Sequence, residues 1–245
     1  MEGTKRQRSV SFDTVIRTRR ALEAILPLEQ SFPDELSILK KLFGVDHVEG
    51  KLQRLNDIYK YTEGKWRDYV AKLPNGRVNY LLIGEAPPWR SPDEKIQYVL
   101  DPESDSRTLM LALTKALLSV SACEQVNAKK ALAELATRGF LIVDSIPFAM
   151  KYPSPMRART KYIELVHLTT LTHLQKKLSL SSISWSRDVC VAFSLKQNAR
   201  AVIKGLDNKL NLGGTIVTLS DELIAVNGSG FPDAEKLRQL YRITL

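Results

Sequence analysis

The sequence predicts a three-layer α/β/α sandwich, with a four-stranded parallel sheet and an N-terminal helical extension. Three observations carry this expectation. Four short apolar runs, Val78–Ile83, Phe140–Val143, Val189–Phe193 and Thr215–Leu219, have the length and bounding residues of buried strands. Helix-length stretches separate them, so successive strands are joined by crossovers, which makes them parallel. Before residue 75 the pattern differs: apolar residues recur at spacings of three and four, as on one face of a helix.

Residues 1–12 form a basic tail that reads as disordered, 13–75 the helical extension, and 76–245 the α/β/α domain. In the extension the helical pattern runs through Val15, Leu22 and Ile25, then Leu36, Leu39 and Leu42, then Leu52, Leu55 and Tyr59. Pro27 and Pro33 divide it into separate helices. Trp66 and Tyr69 are expected to anchor the last helix on the main body. Within the domain, helices are predicted over Thr108–Val120, Asn127–Thr137, Tyr162–Leu178 and Gln197–Leu206. A final one covers Asp233–Tyr241, with Pro232 beside its start. There is no internal repeat.

The chain has 245 residues, 44% of them apolar and 26% charged, enough for one sizeable core. No apolar run reaches bilayer length, and the basic start lacks the apolar core of a secretory signal, so a cytoplasmic protein is expected. Cys123 and Cys190 are the only cysteines, too few for a disulfide framework, an iron–sulfur cluster or a Cys-only zinc site. No metal and no cofactor are expected. Oligomeric state is open, with a monomer favoured.

Net charge is +9 and the positive charge is clustered. Residues 1–20 hold six cations against two acids, and 151–161 hold Lys151, Arg157, Arg159 and Lys161 with no acid. Clustered cations are the footprint of a polyanionic partner, here nucleic acid. A solvated tail or loop is the plain alternative for either run.

In a parallel sheet the strand exits share one rim, where ligands of open α/β sheets bind. The first exit is Gly84-Glu85-Ala86-Pro87-Pro88-Trp89, a carboxylate held by two prolines; the second is Asp144-Ser145-Ile146-Pro147-Phe148. Ser194-Leu195-Lys196 is the third, and Asn227-Gly228-Ser229-Gly230-Phe231 follows the fourth run. One rim would thus gather two carboxylates, an aromatic pair, a Gly-rich loop and the basic run 151–161. Glu85 as a solvated turn residue, Asp144 as a turn cap and Phe148 as a core residue are the alternatives.

The strand ending in Gly-Glu-Ala-Pro resembles the first motif of the uracil-DNA glycosylase superfamily, in the form carried by its iron–sulfur branch. Leu141 to Pro147 is similar to the strand whose Asn reads the uracil edge, and residues 227–232 lie where that family keeps a His-Pro motif. The resemblance covers roughly residues 78–241. It implies that Glu85 faces the sugar C1′, positioning water or stabilising an oxocarbenium-like charge. Ala86, Pro87, Trp89, Asp144 and Phe148 would bind the extruded base. Lys151, Arg157, Arg159 and Lys161 would grip phosphates, while Asn227, Ser229, Gly230 and Phe231 would press on the minor groove, with Phe231 the wedge.

Two departures shape the expected chemistry. The histidines, His47, His167 and His173, all fall in or beside predicted helices, so the final loop lacks the family's His. Asp144 stands where the family's base-reading Asn would be, and an ionised Asp only accepts hydrogen bonds, which suits an exocyclic amine. Three functions follow: a glycosylase that hydrolyses the N-glycosidic bond of a damaged or deaminated base in single- or double-stranded DNA; a catalytically weak nucleic-acid-binding relative; or an unrelated α/β enzyme acting on a small nucleotide or sugar.

Overall fold

The computed structural model describes residues 24–104, 107–118, 127–226 and 232–243. Three strands form its centre: β1 (Arg77–Gly84), β2 (Phe140–Asp144) and β3 (Ser184–Phe193). They pair in parallel in the order β2-β1-β3, with Gly84 opposite Asp144 at the carboxyl end of the ladder. Leu81, Leu82 and Ile83 are each 0% exposed. Consecutive strand residues face opposite sides, so burial of all three means that both faces of the sheet are covered.

Among the described residues four helices precede the sheet: α1 (Leu28–Ser31), α2 (Pro33–Phe43), α3 (Val45–Glu49) and α4 (Leu52–Val70). Pro33 opens α2 at its first turn, where a missing N–H costs nothing. Between β1 and β2 lie α5 (Arg107–Leu117) and α6 (Ala128–Thr137); Asn127 caps α6 by accepting the Lys130 amide at 3.0 Å. Between β2 and β3 come α7 (Ser154–Arg157), α8 (Thr160–Thr169) and α9 (Gln175–Leu178). The last two are joined by a π-turn at Thr170–Leu174, a helical irregularity frequent at functional sites. Helix α10 (Lys196–Gly205) follows β3.

The sheet departs from expectation at its fourth strand. The run 215–219 forms β5 (Thr215–Thr218), which pairs antiparallel with β4 (Lys209–Leu212) in a separate two-stranded ribbon. The reason is the Gly213-Gly214 turn. Its φ values of 59° and 100° suit the primed turns that join adjacent antiparallel strands. The place beside β3 is taken instead by Ile224, which makes a single parallel bridge to Phe193, and the Ala225 amide donates to the Phe193 carbonyl at 2.9 Å. The third strand also starts earlier than predicted, at Ser184: Ser184 and Trp185 pair with Arg77 and Val78 ahead of a bulge that separates them from Cys190. Helix α11 (Ala234–Leu240) closes the described chain, capped by Asp233.

The amino-terminal helices share one apolar core with the sheet. Helix α4 lies along the open edge of β2, where Trp66 Nε1 donates to the Ile142 carbonyl and Tyr69 Oη to the Phe140 carbonyl, both at 3.0 Å. These carbonyls alternate along the strand and face away from β1, so the helix satisfies an edge that would otherwise be open. Among the described residues no helix is long and apolar enough to cross a membrane.

Candidate functional site

The exits of β1 and β2 lie side by side, tied by main-chain bonds. The Ser145 amide donates to the Gly84 carbonyl at 3.0 Å and the Ile146 amide to the Glu85 carbonyl at 2.8 Å. Glu85 and Asp144 are therefore neighbours, yet their carboxylates are engaged very differently.

Glu85 accepts three hydrogen bonds. Arg157 holds it through two bonds, Nε to Oε1 at 2.7 Å and Nη2 to Oε2 at 2.6 Å, and Tyr162 Oη donates to Oε1 at 2.5 Å. The pair is largely buried, with 14% and 17% of the two side chains exposed. This bond to Glu85 is the main cause that raises the Arg157 pKa, while burial is the main cause for Tyr162, followed by the Glu85 charge. Behind them lies a polar network: Asn198 Nδ2 donates to Ser145 Oγ at 2.9 Å and to Tyr162 Oη at 3.4 Å, and Ser145 Oγ donates to the Glu85 carbonyl at 3.2 Å. Ser145 and Asn198 are buried, so the network is a rigid seat.

Asp144 is the opposite case. Its carboxylate takes no hydrogen bond from the described residues and lines a cleft between the strand exits and the helices. The exits supply Pro87, Asp144 and Pro147, and the connecting segment supplies Tyr98. Helix α4 supplies Tyr59, Thr62 and Glu63, while His173 and Lys177 come from the π-turn and α9. The cleft encloses about 210 Å³ including open solvent. As it stands the space accepts about one water molecule.

Burial raises the Asp144 pKa to about 7; the nearby Lys177 charge lowers it, and the Glu85 and Glu63 charges raise it further. Lys177 is committed elsewhere: its ammonium pairs with Glu63 and lies 4.3 Å from the Trp66 ring centre. His173 is buried, which together with the Lys177 charge holds its pKa well below the ordinary value, so the ring is neutral near pH 7. It bonds the Asp144 main-chain carbonyl and meets the Phe32 ring edge-on at 5.5 Å. Asp144 Oδ1 rests against Gly84 opposite: a Cβ there would lie 2.1 Å from it.

The other candidate residues are placed as follows. Ala86 is half-buried and Pro87 buried in the turn after Glu85. Trp89 is half-buried with the Lys51 ammonium 4.8 Å from its ring centre, away from the cleft lining. Phe148 is 0% exposed and packs edge-on against Phe32 at 6.1 Å, so its ring is a core element and offers no free stacking face. Lys151, Arg159 and Lys161 are exposed; Lys161 pairs with Glu164 at 2.6 Å, and Arg157 alone of the basic run turns inward to Glu85. Asn227, Ser229, Gly230 and Phe231 lie outside the described residues, as do Cys123 and the basic tail.

The helical extension also holds the turn that carries the motif. Arg54 of α4 donates to three carbonyls of the following segment: Arg90 at 3.0 Å, Ser91 at 2.7 Å and Glu94 at 2.5 Å. Asp101 in the same segment is buried and bonds Tyr61 at 2.5 Å and Lys65 at 2.9 Å. Glu63, Lys177 and His173 escape motif reasoning because each sits inside an ordinary helical pattern. The one local signal was polarity on buried helical faces, at Glu63 and Lys177. Among the described residues no group of His, Cys, Asp and Glu is arranged to hold a metal ion.

Comparison with protein-family models, curated proteins and solved structures returned no match. The resemblance to the uracil-DNA glycosylase superfamily therefore rests on the residues of the strand exits themselves.

Proposed function

We propose that the protein is a nucleic-acid-binding relative of the DNA glycosylases with little or no Glu85-dependent N-glycosidase activity. The observation that carries this reading is the contrast between the two carboxylates. Glu85 Oε1 accepts from both Arg157 and Tyr162 and Oε2 accepts from Arg157, so Oε1 has no lone pair spare for a water or a sugar. Asp144 lines a cleft with space for about one water, and its carboxylate has no Arg157-like partner among the described residues. The exposed Lys151, Arg159 and Lys161 would meet phosphates.

The test pairs binding with chemistry. DNA binding, single- or double-stranded, is expected to weaken steeply with salt in a gel-shift titration. No base release is expected from oligonucleotides carrying uracil, hypoxanthine, xanthine or alkylated bases. Release that persists in Asp144→Asn and vanishes in Glu85→Gln overturns the reading in favour of Glu85-dependent hydrolysis.

One observation favours a second reading, hydrolysis of an N-glycosidic bond with Asp144 as the acid–base group. A carboxyl held near pH 7 beside a space for about one water is poised to exchange protons. Base release lost in Asp144→Asn and following a pH profile centred near 7 would select it.

A further inference from the structure

We propose that the nucleic acid bound by this protein is single-stranded and lies across an outer ridge built by His47, Lys51, Trp89 and Lys151. The inference rests on the nucleic-acid-binding reading above and names the form of its ligand.

The ridge follows from a run of contacts at the surface. The Lys51 ammonium donates to His47 Nε2 at 2.8 Å and lies 4.8 Å from the Trp89 ring centre, so one cation touches two rings. The His47 ring lies parallel to Phe43, at 7° and with 6.1 Å between centres. Phe43 meets Tyr152 edge-on at 5.6 Å, and the exposed Lys151 is the residue before Tyr152. Lys151 lies close enough to Glu94 for their charges to interact, and Glu94 pairs with Arg90, next to Trp89, at 3.7 Å. Helix α4 holds these pieces in place. Lys51 precedes its first residue, and Arg54, one turn on, binds the carbonyls of Arg90 and Ser91 at 3.0 and 2.7 Å.

Two properties of the ridge point to its ligand. Among the described residues Lys51 and Lys151 pair with no carboxylate, so both charges are available to an anion. The acids exposed in the segments 46–51 and 89–95 are Asp46, Glu49, Asp93 and Glu94, and Lys40 and Arg90 hold Glu49 and Glu94. The rings also reach the surface: His47 is exposed and Trp89 half-buried. An ammonium set between two rings suits one phosphate flanked by two bases. The phosphate would meet Lys51, one base would continue the Phe43–His47 stack, and the next would rest beside Trp89. Duplex bases are stacked on one another and show only their edges in the grooves, so they offer these rings no face. An acidic peptide would meet the lysines and leave the rings without a partner.

The experiment is fluorescence anisotropy at constant salt with three ligands of equal length: a thymine strand, its duplex and a strand of abasic sites. The thymine strand should bind about tenfold tighter than the abasic strand, and tighter than the duplex despite carrying fewer phosphates. His47→Ala, at an exposed position, should weaken the thymine strand about fivefold and leave the abasic strand and the melting curve unchanged. Lys51→Gln should lower the slope of log affinity against log salt by about 0.7 for the strand. Equal binding of the thymine and abasic strands, a duplex bound as tightly, or His47→Ala without effect overturns this inference and spares the nucleic-acid-binding reading. Poly-glutamate competing as well as the thymine strand does the same. Absence of binding by strand and duplex alike overturns both.

Discussion

Gly84 and Asp144 face each other across the last rung of the β1–β2 ladder, and this pair sets the electrostatics of the cleft. The folded protein holds Asp144 near 7, above the ordinary value of 3.8, because burial disfavours its charge. The native state therefore binds more protons than the unfolded chain between those values. Stability is highest below about pH 4 on this account and falls as pH rises towards 7. Asp144→Asn removes the penalty: equal urea-unfolding stability at pH 4 is expected, with the variant ahead by about 2–4 kcal/mol at pH 8. Wild type matching the variant at pH 8 would refute the shift. Glu85 is charge-paired with Arg157, and its removal would strand a guanidinium in a largely buried place.

At the scale of elements, α4 is the organising piece. It seals the β2 edge through Trp66 and Tyr69, lends Glu63 to the cleft and, through Arg54, fixes the segment after Glu85. Tyr69→Phe removes the donor to the buried Phe140 carbonyl while keeping the ring, and should cost about 1–2 kcal/mol in urea unfolding. A loss near zero would mean that the β2 edge is satisfied in another way. The β4–β5 ribbon shows how turn chemistry overrides a strand pattern. Gly213 and Gly214 both adopt positive φ, and Asn211 Oδ1 accepts the Gly214 amide at 2.9 Å, so the chain reverses at once and cannot make a crossover.

Over the whole molecule, positive charge is exposed beside the strand exits, at Lys151 and Arg159. If both meet phosphates, the double substitution to Ala should reduce the slope of log affinity against log salt by about 1.5, measured by anisotropy. An unchanged slope would remove the basic run from the interface. The sequence by itself determined the β1 and β2 strands, the adjacency of Glu85 and Asp144 and the helices α6 and α11, because continuous apolar runs, the strand exits and helical periodicity act over a few residues. Gly213-Gly214 carried the hairpin in the same local terms. Tertiary structure alone decided that Arg157 closes on Glu85, that Phe148 is sealed under Phe32, and that Glu63, His173 and Lys177 surround Asp144. Charges pair and rings are buried according to what packing brings within a few ångströms, and contacts between residues so distant along the chain leave no periodic trace in it.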